Sequence, residues 1–177
     1  MPPWLTVVKD LAPPLGTVIA IVALLYQISR SRFLTGIDVL HKVAGDWDDM
    51  RSERCDAASA IKDRADRNLP LDQGLGDTDE VLDFLDYIAY LVHQKAIPKV
   101  SVWYAFFYWI DGYMRWCGPY VASKNGNPWE DLRELYEELC AIQKKRKSKV
   151  VTGSGASHSF LQEEIDRNCS DNAPSAC

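Results

Sequence analysis

The sequence predicts an all-α protein: one membrane-spanning helix near the N-terminus, then a bundle of about four helices. Three observations carry this. Residues 11–28, LAPPLGTVIAIVALLYQI, contain no charge. After them, three segments carry apolar residues at helical spacing and a fourth is almost solidly aromatic. Glycine is too scarce, at 10 of 177 residues, for a fold built from many tight β-turns.

The uncharged run is the first element. At about 1.5 Å per residue it reaches roughly 27 Å, close to the ~30 Å hydrocarbon core of a bilayer. Pro13 and Pro14 stand near its start, where missing amide donors cost least. Trp4 and Tyr26 flank it, as aromatic residues at membrane interfaces do. Arg30 and Arg32 follow, with stems that snorkel to headgroups. Lys9 is offset by Asp10, whereas Arg30, Arg32 and Lys42 follow the run, so the cation excess predicts N-terminus out and the rest in the cytoplasm. A cleaved signal peptide is the weaker reading, because no A-x-A-like site follows Tyr26. A buried helix of a globular domain is the other alternative, since the run is short for a span.

The chain divides into residues 1–32 with the span, a helical bundle over 33–147, and a mostly disordered tail over 148–177. In the bundle, Leu34, Ile37, Leu40, Ala44, Trp47, Met50, Arg54, Ala58, Ile61 and Ala65 form one helical stripe to about Arg67, with Arg54 its single break. Gly36 and Gly45 are its weak points. Residues 68–76, NLPLDQGLG, read as a loop. Asp77 and Glu80 then make a capping pair for a helix over about 78–95. Val81, Phe84, Leu85, Ile88, Leu91 and Val92 form its buried face; Asp79, Asp83, Asp86, Tyr90 and His93 lie opposite. Ile97-Pro98 ends that helix. The next, about 100–116, is nearly solid with aromatic residues, and Gly118-Pro119 ends or kinks it. Asn127 caps a last helix with Pro128 at its first position and Leu132, Leu135, Tyr136, Leu139 and Ile142 as its stripe. It closes on the basic run Lys144, Lys145, Arg146, Lys147 and Lys149. The following residues are rich in Ser, Gly, Asn and Asp with little periodicity.

The segments that carry Trp47 and Arg51, then VLDFLDYIAYLV at residues 81–92, then an aromatic helix with Trp103 and Trp109, together resemble a family of small bacterial single-pass membrane proteins classed as a domain of unknown function. The likeness spans roughly residues 15–139. It implies a bacterial or phage-related origin and an all-helical fold, and brings neither an activity nor catalytic residues.

Chemistry-bearing motifs are few. Trp116-Cys117-Gly118-Pro119-Tyr120 matches the thioredoxin W-C-G-P-C sequence except that tyrosine replaces the resolving cysteine, so thiol cycling has no second partner. Five cysteines, none as C-x-x-C, form neither a disulfide framework nor a zinc spacing, and fit a reducing compartment. Asp38-Val-Leu-His41 is one imperfect copy of the Glu-x-x-His element, where a di-metal bundle needs two. Asp79, Asp83 and Asp86 read as a solvated face; Asp86 is also placed to pair with Arg51, Arg54 or Arg115. The aromatic helix is too short for a second span without taking in Asp111 and Arg115. The basic run fits either anionic lipid or a solvated helix end. A net charge of -5 and cations without interleaved aromatic residues argue against nucleic acid.

The expectation is therefore a single-pass protein of the inner, cytoplasmic membrane carrying a cytoplasmic helical module for protein–protein interaction or scaffolding. Its partners are the lipid bilayer and either a second copy of the chain or another protein. No catalytic, cofactor-binding or metal-binding residue is expected; an enzyme or ligand sensor with an unrecognised site is the alternative.

Overall fold

The computed structural model describes residues 3–72, 75, 78–126, 128–146 and 157–169, and among these the side chains of 3–19, 32, 157 and 158 lie outside what is described. Among the described residues six helices follow one another: α1 (Pro3–Asp49), α2 (Arg51–Asp66), α3 (Thr78–His93), α4 (Lys99–Ser123), α5 (Glu130–Arg146) and α6 (Ser157–Cys169). The described residues contain no strand, and the fold is all-α.

α1 passes through the uncharged run and continues into the bundle as one helix. Among the described residues no helix is long and apolar enough to cross a membrane. The expected span falls partly on residues 11–19, whose side chains lie outside the described set. The stripe from Leu34 to Ala65 is divided between two helices rather than one. The break comes at Met50, whose ψ of 27 departs from helix, and not at either glycine. Gly36 is needed for a close approach: a Cβ there would sit 2.9 Å from the Ala96 carbonyl oxygen and 3.0 Å from Pro98 Cδ. α1 thus crosses the α3–α4 turn where it has no side chain.

Asn68 and Lys95 stand at positive φ as the residues that end α2 and α3. At α3 the Ala96 amide donates back to the Leu91 carbonyl (2.9 Å) and at α2 the Leu69 amide to Arg64 (2.9 Å), both Schellman closures. Asp77, the expected cap of α3, and Asn127, the expected cap of α5, lie outside the described residues. α5 begins at Glu130 rather than Pro128, because Trp129 takes a left-handed φ of 65. That bulky residue is held there by its indole nitrogen, which donates to Asp83 at 2.6 Å, and by ring contact with Tyr120.

α4 is the central element. Val102, Trp103, Phe106, Phe107, Ile110, Tyr113, Cys117 and Tyr120 are all buried in the core it shares with α1, α2, α3 and α5. It runs through Pro119 to Ser123, so Gly118-Pro119 does not end it. Pro119 is exposed, where a carbonyl deprived of its helical donor turns to water.

The tail departs furthest from expectation. Residues 157–169 form α6, with Phe160, Leu161, Glu164 and Asn168 buried at helical spacing. Five helices therefore follow α1, not about four, and 148–177 is not simply a tail. Gly112 makes the seat for α6: a Cβ there would overlap the Phe160 ring. That ring meets Tyr108 and Tyr113 edge-on.

Candidate functional site

Three assemblies gather the polar side chains. The first locks α6 to α2. Arg54, the one break in the apolar stripe, is buried at the centre of the bundle. Its Nε and Nη2 donate to Glu164 Oε2 at 3.0 and 2.8 Å, and Nη1 donates to the Trp47 carbonyl at 3.3 Å. The guanidinium lies 4.3 Å from the Trp47 ring centroid and 5.6 Å from that of Trp109. Glu164 also accepts from Trp109 Nε1 (2.9 Å) and Asn168 Nδ2 (3.2 Å), so each of its oxygens is used. Burial and the nearby Glu164 carboxylate push the Tyr113 hydroxyl well above its ordinary range. One residue from Arg54, Cys55 forms a disulfide with Cys169 at the end of α6. The expectation of cysteines without a disulfide is thereby corrected at Cys55: among the described residues Cys117 and Cys140 are the free thiols. The support that cysteine usage lent to a reducing compartment goes with it.

The second assembly is the acidic face of α3, on which Asp83 stays exposed while Asp79 and Asp86 are half-buried, and all three bond to neighbouring segments. Asp79 accepts from Tyr120 Oη (2.6 Å) and stands 3.8 Å from Lys124 Nζ. Asp83 takes the Trp129 indole, and Asp86 accepts the Leu132 amide at 2.8 Å. Leu132 lies in the first turn of α5, so Asp86 satisfies a free donor of that helix and faces the positive end of its dipole. His93 completes the row with Nδ1 2.8 Å from Asp131 Oδ1. Asp86 therefore pairs with none of Arg51, Arg54 or Arg115; Arg115 instead donates to Asp111 within α4 at 3.0 Å. Burial, more than the neighbouring Asp131 and Asp83, raises the Asp86 carboxyl above its ordinary value despite the Leu132 amide.

Cys117 sits inside α4 with no strand before it, and burial, helped by Asp79, pushes its thiol up to about 12. Such a thiol is protonated and inert. Asp38 and His41 are both exposed. Among the described residues no cluster of three or more His, Cys, Asp or Glu is arranged to hold a metal ion.

The third assembly is a cleft of about 490 Å³ where α1 meets the α3–α4 turn, lined by Phe33, Val92, Ile97 and Pro98 with His93, Lys95 and Lys99. Lys99 is 2.5 Å from Glu138 of α5. Further along, Arg146 lays its guanidinium 5.1 Å from both the Trp103 and Tyr104 ring centroids, and bonds the Tyr104 hydroxyl. The last residue of α5 thus lies over the first turns of α4; Lys147 and Lys149 lie outside the described residues.

No single sequence signal pointed to these assemblies. The break at Arg54 marks its position without its partner, and the spacing of the α3 acids marks their face without the Tyr120, Trp129 and Leu132 groups they bond. Neither a protein-family model, nor a curated protein, nor a solved structure matches this chain.

Proposed function

We propose that the protein is a membrane-tethered helical module, with α1 as tether and the bundle as the part presented to a protein partner. One observation carries the tether. Beyond the bundle, α1 holds large apolar side chains in the open: Ile21, Val22, Leu24, Leu25 and Tyr26 are each more than half exposed, from 53% to 65%. A helix apolar on all sides needs a medium other than water. The uncharged run of residues 11–28 supports the same reading from sequence.

The bundle supports a binding role better than a chemical one. Its buried ion pair, Arg54 with Glu164, is closed to solvent and fully used in fixing α6. A disulfide persists in oxidising compartments. We therefore assign the bundle to the oxidising face of the membrane, against the small cation excess that favours the cytoplasm. Washing membranes with alkaline carbonate tests the tether: full-length protein should stay in the pellet, and its release to the supernatant would overturn the reading.

A further inference from the structure

We propose that the end of the bundle from which α1 emerges docks onto anionic phospholipid headgroups, with the cleft under Phe33 and the last turn of α5 forming the contact. The inference rests on α1 being the tether and adds a lipid-specific surface to it.

Geometry sets the level. Phe33 lies five residues past Ile28, the end of the uncharged run, or about 7.5 Å along a helix axis. A bilayer of ~40–45 Å with a ~30 Å hydrocarbon core leaves roughly 5–8 Å of headgroup region on each side. The cleft opens at that depth, and Gly36 fixes α1 against Ala96 and Pro98 so that the spacing is not free to drift.

Chemistry sets the ligand. The cleft offers Phe33 and Pro98 to the upper part of an acyl chain, over a nearly closed floor of Val92 and Ile97. Lys95 stands exposed at its rim, where the left-handed turn that ends α3 holds it. Lys99 shares one carboxylate with α5 and retains donors for a phosphate. Lys144 and Lys145 lie in the last turn of α5, Lys145 exposed and Lys144 half-buried, and Arg30 is exposed on α1. Arg30, Lys95, Lys144 and Lys145 belong to none of the ion pairs formed among the described residues. Val100 and Tyr104, 43% and 68% exposed, add the apolar and amphipathic side chains that settle at an interface. The acids Asp131, Glu134 and Glu138 face the same region, but each is engaged by His93 or Lys99. Cations at this level are drawn to an anionic headgroup layer, and salt weakens the attraction.

The test uses the full chain reconstituted into vesicles of phosphatidylcholine alone or mixed with phosphatidylglycerol, read by amide hydrogen exchange. Residues 93–104 and 140–146 should be better protected in the anionic vesicles, and added salt should remove the difference. The triple variant Lys95→Glu, Lys144→Glu, Lys145→Glu should lose it, and the same three positions changed to Arg should keep it. Equal protection in both lipids, with the protein still resistant to carbonate, overturns the docking surface and leaves the tether standing. Release from both kinds of vesicle by carbonate overturns both. Inorganic phosphate added to phosphatidylcholine vesicles should give no protection; if it reproduces the anionic-lipid effect, the surface takes soluble phosphate and the membrane assignment fails.

Discussion

Arg54 and Glu164 stand 110 positions apart and meet with Nη2 and Oε2 separated by 2.8 Å, both side chains almost wholly buried. Neither charge has water to return to. Removing one member of such a pair typically costs about 3–5 kcal/mol, because the other is left buried and uncompensated. Glu164→Ala should lower the unfolding free energy by that order, and Arg54→Met should do likewise. The double variant should lose much less than the sum, since no orphaned charge remains. Additive losses in a denaturant-based double-mutant cycle would show that the two residues act separately.

The Cys55–Cys169 bond closes a separation of 114 residues. Cross-links over loops of that length restrict the unfolded chain strongly, and losing a native one commonly costs about 2–5 kcal/mol. Cys55→Ser should lower the melting temperature, and α6 should be the first helix to lose hydrogen-exchange protection. Protein trapped from cells in acid, denatured and treated with maleimide should be labelled at Cys55 and Cys169 only after reduction. Labelling without reductant would return the bundle to a reducing compartment.

Gly112 lies inside α4, where alanine would ordinarily be favoured by roughly 1 kcal/mol. Here the added Cβ would overlap the Phe160 ring. Packing overrides propensity, so Gly112→Ala should destabilise the protein and displace α6. Pairing it with Phe160→Leu, which shortens the blocking side chain, should recover part of the loss. A Gly112→Ala protein as stable as the parent would mean that the Phe160 seat yields freely.

These three sites explain how far the fold was legible in the sequence. α3 was readable almost to its ends, because Val81, Leu85, Ile88 and Val92 repeat on one face and Pro98 stops the chain. α4 was readable as core from its rings alone, although its continuation through Pro119 depends on that residue facing solvent. α6 was not readable. Two of its buried positions are Glu164 and Asn168, which hydropathy counts as surface; they belong inside only because Arg54 waits there. The α3 acids failed in the same way. A single aspartate seen in sequence looks solvated, and the hydroxyl, indole or amide that bonds it arrives 41 to 46 residues later. Patterns within one helix survive translation into structure, whereas polar pairs between helices have no local period to betray them.

Asp86 gives the last prediction, and it concerns pH. Burial raises its carboxyl in the folded protein, with Asp131 and Asp83 adding to the effect and the Leu132 amide opposing it. A raised folded-state value means that the fold binds the proton more readily than the unfolded chain does. Its stabilising contribution is therefore complete below the ordinary carboxylate range, near about pH 4. It is lost as pH rises through the folded-state value. Asp86→Asn keeps an oxygen for the Leu132 amide at 2.8 Å and removes the buried charge. At neutral pH the variant should therefore melt at the same temperature as the parent or slightly higher. On acidification the parent should gain on the variant, so that the difference in melting temperature closes or reverses. Asp86→Ala, which also strips the first turn of α5 of its acceptor, should be destabilised across the whole range and so separates the lost hydrogen bond from the lost charge. If instead the parent loses ground to Asp86→Asn as pH falls, the ionised carboxylate is what the fold prefers, and the amide and helix dipole of α5 outweigh burial at this position.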